Sequence, residues 1–426
     1  MATKRLFYAC RRAGIAPGLG DLVPDFKTIR GLQSIGITTT FRLEQVFEIG
    51  QLAIYENIEG VPDIEVTLEK VLDGFCPIYL LATQTQAGSV SPPTSATLAG
   101  RAPTQCILGM QIFEEDLAIA GHVGVAESGG AQDGLRSEVH MSGLYVSSVK
   151  YQCGVDRNIT ENVTLVGNNK AWVLGGDTDN FDSAFQYGVG TWDTPWTGAS
   201  WPDGGTSPAA GSGSGGVQRR EDILMDPTAA IAAGSAAYAI LPMNIPGIVP
   251  SPSASPPNIN IGCDHFGGSV DMTVYGAGTF GINPLTSGVF PVHVQTWNVN
   301  VDLGREQLHE LGRKGTYYRY VNWPVEVVNE IAVITTSGDM ISAAEEGIYK
   351  TAGTGCGLKY NLVAYPIRLA LCEGLIVDCG QMNKLRSVGM TGGDTGRGNV
   401  EVTYTYSNFN DFTVVHPKDV VTGLRP

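Results

Sequence analysis

Few residues of this sequence have the types and spacing that chemistry requires. Gly276, Gly278 and Gly281 match the GxGxxG pattern of a dinucleotide-binding loop, but residues 282–284 begin no helix in the required register. The run 392–399 could form an anion-binding nest, yet it lacks the Lys-Ser/Thr of a P-loop and leads into a predicted strand. We interpret both segments as turns between strands and predict no cofactor site.

Metal and nucleophilic chemistry find no better support. His309 is followed by Glu310, but the second histidine of an HExxH metal site is absent. Cys263, Asp264 and His265 are adjacent, so a strand would point neighbours to opposite faces rather than to one ion. The sequence has no GxSxG nucleophile elbow, and nothing selects a carboxylate pair from its 42 acidic residues. We therefore predict that the protein is not an enzyme, with no catalytic residue and no metal site.

Charge and composition narrow the class of protein further. The 42 acidic and 27 basic residues give a net charge of −15, the wrong sign for a protein that binds nucleic acid by neutralising phosphates. A hydrophobic fraction of 43% is enough for a sizeable core and excludes global disorder. The eight cysteines contain no CxxC pair, so we expect mostly buried free thiols in a reducing compartment. No apolar run approaches the roughly 20 residues of a spanning helix, and we expect no membrane partner.

Alternating polarity indicates that the elements are mainly strands. Residues 41–49, 63–68, 297–303 and 400–406 each alternate apolar and polar side chains and are rich in β-branched or aromatic types. This period of two predicts half-buried antiparallel strands. The best helical signal is a short one at 339–347. We predict a mainly β fold of two β-sandwich or partial-barrel units with short helices.

Composition divides the chain into three parts. Residues 171–260 turn to Gly, Ala, Ser, Thr and Pro, with two basic and eight acidic side chains. We interpret this part as an ordered but irregular insertion or arm with a flexible tip at 204–217, a disordered linker being the alternative. The predicted β units then occupy residues 1–170, which include an N-terminal arm, and residues 261–426.

A weak internal repeat links the two predicted β units. FEIGQ at 47–51 and VDLGR at 301–305 share a phase, and each is followed by a turn region and another strand. GLYVS at 143–147 and GLIVD at 374–378 open a second pair of matching segments in the same order. We predict a duplication, with chance similarity among short strands as the alternative.

The segment 41–74, FRLEQVFEIGQLAIYENIEGVPDIEVTLEKVLDG, resembles the tail tube proteins of long-tailed bacteriophages. In that family a P-x-x-E-V-T strand ends in Leu-Asp-Gly. The counterparts in this sequence are Pro62, Glu65, Val66, Thr67, Leu72, Asp73 and Gly74. Segments 143–171 and 374–415 are similar to the closing hairpins of the same family, and the resemblance covers less than half of the chain.

The resemblance implies a structural virion protein. Six tube-like β-sandwich units would form a ring around one continuous β-barrel, and rings would stack into a tail tube for DNA and the tape-measure protein. Two units per chain imply a trimeric ring, whereas a single lumen-lining unit implies a hexamer. The resemblance also implies assembly in the host cytoplasm, a location in the phage tail, and sheath, baseplate and tail terminator proteins as further partners.

Polar strand faces suit a barrel with an aqueous bore, and an acidic bore would let DNA pass without sticking. We predict that Glu44, Glu48, Asn298, Asn300 and Asp302 face this bore. The alternative is that these residues belong to an ordinary outer surface.

Two other classes of function stay open. A different virion component, such as a tail-tip hub, tube initiator, neck or decoration protein, would use long Gly/Pro loops equally well. A β-rich carbohydrate-binding protein would instead use Trp192, Trp196 and Trp201 as sugar platforms.

Overall fold

A computed structural model describes thirteen segments of the chain. They are residues 6–18, 25–50, 52–84, 97–113, 135–174, 191–192, 217–220, 293–312, 315–334, 367–371, 375–380, 382–392 and 400–416. The predicted helix at 339–347, the GxGxxG segment at 276–281, Trp196, Trp201 and most of the predicted insertion lie outside the described residues.

The described part of the chain up to residue 192 contains strands and three short helical segments. Its strands are β1 (Arg11–Pro17), β2 (Asp25–Thr28), β3 (Leu32–Thr40), β4 (Leu43–Phe47), β5 (Ile54–Glu59), β6 (Asp63–Val71), β7 (Cys106–Phe113), β8 (Leu135–Gly154), β9 (Thr160–Gly167), β10 (Asn169–Leu174) and β11 (Thr191–Trp192). Its helices are the 3₁₀ turn Tyr8–Cys10, α1 (Ile78–Ala82) and α2 (Leu98–Arg101). The strands from β3 to β10, with α1 and α2, are called the first half below.

The described residues from 293 onward, called the second half, contain nine strands. They are β12 (His293–Asp302), β13 (Arg305–Leu308), β14 (Tyr318–Val321), β15 (Glu326–Ile334), β16 (Arg368–Ala370), β17 (Ile376–Asp378), β18 (Lys384–Thr391), β19 (Glu401–Phe409) and β20 (Thr413–Val415). The mainly β prediction is confirmed.

Eight antiparallel strands form the centre of the molecule. Their order is β3-β6-β9-β8-β12-β15-β19-β18, and this set is called the central sheet. The first four strands belong to the first half and the last four to the second half, so the pairing of β8 with β12 joins the halves. Among the described strands the central sheet is open, with β3 at one end and β18 at the other.

The two halves repeat the same topology. Each begins with a strand (β3 or β12), makes a separate hairpin (β4–β5 or β13–β14), and returns as the next strand of the sheet (β6 or β15). The closing pair is β8–β9 in one half and β18–β19 in the other. A smaller three-strand set, β7–β8–β10 or β16–β17–β20, completes each half.

Irregularities in the strand pairing repeat at equivalent places. The β3–β6 register shifts between Leu32 and Ser34, and the β12–β15 register shifts between Val294 and Thr296. The β8–β9 register shifts between Val146 and Ser148, and β18–β19 shifts between Leu385 and Ser387. Because a bulge interrupts the ladder at one specific residue, its recurrence aligns the halves position by position.

This alignment corrects two matches made from the sequence. Tyr145 and Val146 of segment 143–147 align with Lys384 and Leu385 of β18, not with segment 374–378. Residues 47–50 of the first segment end β4 and follow it into the β4–β5 hairpin, whereas 301–305 ends β12 and begins β13. The counterpart of β12 is therefore β3, which the sequence did not single out. The match of strand 63–72 with strand 323–334 corresponds to the equivalent strands β6 and β15.

The core lies on one face of the central sheet because polarity alternates along its strands. Val66 and Leu68 of β6, Val299 of β12, and Tyr404 and Tyr406 of β19 are buried. Strands β1 and β7, the first part of β8 and helix α1 contribute further buried residues to the same hydrophobic cluster. The opposite face of the sheet carries mostly polar side chains, together with the apolar Val166 and Val328.

Helix α1 depends on a distant carboxylate. All five residues of Ile78–Ala82 are buried, so the helix has no polar face of its own. Glu161 of β9 accepts hydrogen bonds from the backbone N–H groups of Ile78 (2.6 Å) and Tyr79 (3.1 Å), and from the hydroxyl of Tyr151 (2.7 Å). These bonds satisfy donors that the first helical turn leaves free.

Candidate assembly surfaces

The polar face of the central sheet contains three of the five predicted bore-facing residues. Asn298, Asn300 and Asp302 alternate along β12 with the buried Trp297, Val299 and Val301. Their cross-strand partners on β8 are Gln152, Lys150 and Ser148, so the polar row continues across the junction of the two halves.

Glu44 and Glu48 lie elsewhere. Glu44 is an exposed residue of β4, and Glu48 follows that strand toward the end of the hairpin. The β4–β5 hairpin is a separate two-stranded sheet, so the structure does not bring these carboxylates together with Asn298, Asn300 and Asp302. A bore-facing role for any of the five residues stays a prediction.

Sequence reasoning missed other acidic members of the polar face. Glu65 and Glu69 of β6, Glu330 of β15 and Glu401 of β19 alternate with core residues and share this face with Lys150. The hydroxyl of Ser34 donates to Glu69 at 3.3 Å across the β3–β6 pair, which places both side chains on one side. The alternation of 63–68 contained the signal for Glu65, because Glu65 stands between the apolar Ile64 and Val66.

The junction of the two halves, called the joint, is held by more than strand pairing. The β13–β14 hairpin of the second half packs on the first half, where Asp63 receives hydrogen bonds from Gln307 (2.7 Å) and Arg319 (3.1 Å). Arg319 also donates to the side-chain oxygen of Asn168 at 2.9 Å, and Arg42 donates to Asp63 at 2.8 Å. Partial burial acts to raise the pKa of Asp63, but these hydrogen bonds and the charges of Arg42 and Arg319 leave it below its ordinary value.

A second anchor of the joint is Arg305, the first residue of β13. It donates to the backbone oxygens of Val146 and Ala102, each at 2.8 Å, and its guanidinium lies 5.1 Å from the centre of the Tyr145 ring. Burial lowers the pKa of Arg305 to about 10, so the guanidinium remains charged at neutral pH. Tyr318 of β14 packs edge-on against Tyr145 with ring centres 5.5 Å apart.

The two ends of the central sheet have apolar edges like those at the joint, but no other described strand pairs with them. Met390 of β18 is 61% exposed, whereas its equivalent in β8, Tyr151, is fully buried at the joint. On β3, Ile35 and Ile37 are only partly buried, whereas their equivalents in β12, Trp297 and Val299, are fully buried. An apolar strand edge of this kind is a site for pairing with another strand.

The β4–β5 hairpin is the most apolar exposed element among the described residues. Its exposed large hydrophobic residues, with those of its flanks and turn, are Phe41, Leu43, Phe47, Ile49, Leu52, Ile54, Tyr55 and Ile58. Exposed apolar surface of this extent marks an interaction site.

The described residues also bear on metal sites, disulfides and membrane-spanning helices. No group of three or more His, Cys, Asp or Glu side chains there is arranged to hold a metal ion. The five described cysteines, Cys10, Cys76, Cys106, Cys153 and Cys379, are free thiols, and all but the half-buried Cys76 are buried. The expectation of mostly buried free thiols is confirmed for those five. No described helix has the length and hydrophobicity needed to cross a membrane.

Comparison with known proteins yields distant structural neighbours. No protein-family model and no curated protein matches the chain. Over 41% of its length the chain is similar to the tube-terminating cap of an anti-feeding prophage, covering 95% of that chain with 10% identity and a TM-score of 0.26. Over 38% of its length it is similar to a chain of the sheath-tube complex of an extracellular contractile injection system, PVC, in the extended state. That match covers 88% of the neighbour with 12% identity and a TM-score of 0.22. TM-scores this low establish neither a common fold nor a common function.

Proposed function

We propose that this chain is a structural subunit of a phage-type tail tube, in which chains close into a ring through the open ends of their central sheets. The observation that carries the proposal is the joint: β8 already pairs with β12 inside the chain, and the open β18 and β3 are their equivalents. A second copy therefore presents the strand that each open end lacks. The contact is head-to-tail, so repetition closes a ring when the rotation between copies allows it.

The joint also sets the register of the proposed contact. Inside the chain Ser148 lies opposite Asp302, and Val149 lies opposite Val301. The equivalent positions are Ser387 opposite Thr40, and Val388 opposite Thr39, of the next chain. Three copies of an eight-stranded sheet supply 24 strands and six repeated halves, which matches the six-unit ring that the resemblance implies.

The polar face of the central sheet would line the bore. Its other face is covered by core residues, so closing the sheet leaves the polar face for the lumen. Glu65, Glu69, Asp302, Glu330 and Glu401 give that face acidic character, which opposes adhesion of DNA phosphates. The proposed tube is thus a conduit for DNA and for a tape-measure protein that it does not bind tightly.

Electron microscopy with native mass spectrometry of the purified chain tests the proposal. We expect rings and open-ended stacks, with three copies in a ring. Ser387→Cys with Thr40→Cys, or Val388→Cys with Thr39→Cys, should give disulfides between chains under mild oxidation. The pair Ser387→Cys with Thr38→Cys is out of register and should not.

An internal pair controls for the geometry. Ser148→Cys with Asp302→Cys lies in the equivalent register within one chain and should form a disulfide without joining chains. A chain that forms this internal disulfide but stays monomeric, with no in-register disulfide between chains, would contradict the proposal. Closed rings that never stack would favour a tail-tip hub or tube initiator over the tube body.

A further inference from the structure

The two hairpins of the repeat are in opposite situations. The β13–β14 hairpin is docked on the first half, where Arg305 and Gln307 are half-buried and Arg319 is buried. The equivalent residues of the β4–β5 hairpin are Leu43, Gln45 and Asn57, and all three are exposed. The backbone bond that closes the base of each hairpin is also equivalent, from Gly60 to Arg42 (2.7 Å) and from Asn322 to Gly304 (3.2 Å).

The surface that would receive a hairpin is likewise covered in one half and open in the other. In the first half the β13–β14 hairpin contacts Tyr145, Val146, Asp63 and Asn168. The equivalent residues of the second half are Lys384, Leu385, Glu326 and Phe409. Lys384 is exposed and Phe409 is 52% exposed, whereas Tyr145 is buried.

We propose that the β4–β5 hairpin of one chain docks on the second half of the adjacent chain in the same ring, at Glu326, Leu385 and Phe409. This inference rests on the proposed ring, because the hairpin follows β3 directly and reaches this surface only when β3 pairs with β18 of that chain. The occupant is a second copy, since the same chain already shows the equivalent contact at its joint.

The chemistry of the contact follows from the residues that replace those of the joint. Gln45 stands where Gln307 donates to Asp63, so its amide faces the carboxylate of Glu326. Leu43 stands where Arg305 lies over Tyr145, and it is 59% exposed. Leu385 stands where Val146 accepts from Arg305, so docking places Leu43 against Leu385 and an apolar contact takes the place of the charged anchor of the joint.

A short bis-maleimide crosslinker tests the contact, because a Gln–carboxylate hydrogen bond holds the two backbones farther apart than a disulfide spans. Gln45→Cys with Glu326→Cys should crosslink chains within isolated rings. The matched pair Gln307→Cys with Asp63→Cys should react within one chain, which shows that the reagent spans this geometry. Each single-cysteine variant and the wild-type chain measure the background from native thiols.

A pair of leucine-to-serine substitutions, one on each hairpin, gives an independent test. Leu43→Ser should raise the concentration needed for ring formation about tenfold or more, since the interface loses a buried leucine. Leu311→Ser is the matched control, because Leu311 is fully exposed between β13 and β14 and has no part in the proposed contact. It should leave ring formation unchanged.

The outcomes separate this inference from the proposed function. Suppose that rings give the disulfide between positions 387 and 40 but no crosslink between positions 45 and 326. This result would overturn the hairpin contact and leave the proposed ring intact. A Gln45–Glu326 crosslink seen only in stacks and never in isolated rings would overturn it too, because the hairpin would then join rings. Suppose that neither the 387–40 disulfide nor the 45–326 crosslink forms, although the control pairs 148–302 and 307–63 react within the chain. This result would contradict the ring and the hairpin contact together.

Discussion

At the joint β8 lies against β12, whereas at the ends of the same sheet β18 and β3 face outward beside β19 and β6. Equivalent side chains differ in exposure accordingly, as Tyr151 and Met390 illustrate. One difference between the two environments is the neighbouring strand, since β12 lies beside Tyr151 and no other described strand pairs with the outer edge of β18. An edge that keeps core-type residues with no described strand beside it is a candidate surface for pairing with a partner.

The hairpins add a chemical difference to this comparison. The joint relies on a charged cluster around Asp63 and on Arg305, whereas the open hairpin and its proposed target offer Leu43 and Phe409. The joint forms within one chain, where folding itself brings the charged groups together. A contact between separate chains has to offset the entropy of association, and burial of apolar surface serves that purpose.

Lysine at two equivalent positions of β12 and β3 should give the largest contrast. Val299→Lys places a charge at a fully buried site of the joint, which costs several kcal/mol and should prevent folding. Ile37→Lys alters the equivalent but only partly buried site, where the long side chain can reach water, so the chain should fold. It should not form rings, because pairing with β18 of another chain would bury the ammonium group as Val299 is buried at the joint.

Circular dichroism and native mass spectrometry distinguish these outcomes. Ring closure by Ile37→Lys at wild-type concentrations would show that β3 is not the edge that pairs. Folding of Val299→Lys with wild-type stability would show that the joint is not part of the core.

Removal of the carboxylate at Glu161 should have the next largest effect, and it tests a feature that only the first half has. Its equivalent in β19 is Val402, so the second half lacks this buried acceptor. Glu161→Ala leaves the N–H groups of Ile78 and Tyr79 and the hydroxyl of Tyr151 without their acceptor, which should cost about 3 kcal/mol or more. Glu161→Gln keeps one acceptor oxygen and should cost less.

The pH dependence gives this prediction a sign. Burial raises the pKa of Glu161 above its ordinary value, although its hydrogen bonds and Lys70 act to lower it. The folded state therefore binds the proton more tightly than the unfolded state. The stability that proton binding by Glu161 contributes is fully present below the pKa of Glu161 in the unfolded chain. It is lost as the pH rises through the pKa of Glu161 in the folded chain. Urea unfolding between these two pH values should show a falling free energy of unfolding in the wild type but not in Glu161→Gln. An equal dependence of the free energy of unfolding on pH in both proteins would contradict a raised pKa of Glu161.

Strand positions could be predicted from the sequence, but the exposure of their apolar faces could not. Alternation placed β6, β12 and β19 correctly because their apolar faces pack within one chain. The same pattern at 41–49 suggested a half-buried strand, yet Leu43 and Phe47 are exposed, since alternation marks an apolar face without showing whether anything covers it.

Features set by distant contacts were also out of reach. Helix α1 was not predicted because five apolar residues carry no helical period, and the carboxylate that caps it comes from Glu161 in β9. Glu44 was grouped with Asn300 because both alternate with apolar residues. Only the pairing of β4 with β5 shows that Glu44 belongs to a separate hairpin.

Substitution of Asp63 should weaken the joint moderately. Asp63→Asn removes a carboxylate that accepts from Gln307, Arg319 and Arg42, which should lower the free energy of unfolding by about 1 to 3 kcal/mol at neutral pH. Because the folded pKa of Asp63 is lowered, its contribution is present above the unfolded pKa and disappears as the pH falls through the folded value. Denaturant unfolding near neutral pH and at acidic pH measures both effects.

The equivalent substitution in the open half is the control. Glu326→Gln removes only a largely exposed ion pair with Arg386, so the monomer should change by less than about 0.5 kcal/mol. A cost equal to that of Asp63→Asn would mean that the open surface contributes as much to the fold as the joint does.

Charge reversal on the polar face should have the smallest effect on stability and a clear effect on DNA. Glu65 and Glu330 are exposed on the central sheet, so Glu65→Lys with Glu330→Lys should change the free energy of unfolding by less than about 1 kcal/mol. If this face lines the bore, assembled tubes of the variant should retain short double-stranded DNA that wild-type tubes release, and added salt should weaken the retention.

Glu44→Lys with Glu48→Lys makes the same charge change on the β4–β5 hairpin and tests the prediction made from the sequence. Retention by this hairpin variant alone would place the bore at the hairpins, whereas retention by the sheet variant alone would assign the bore to the sheet and leave the hairpins for contacts between chains.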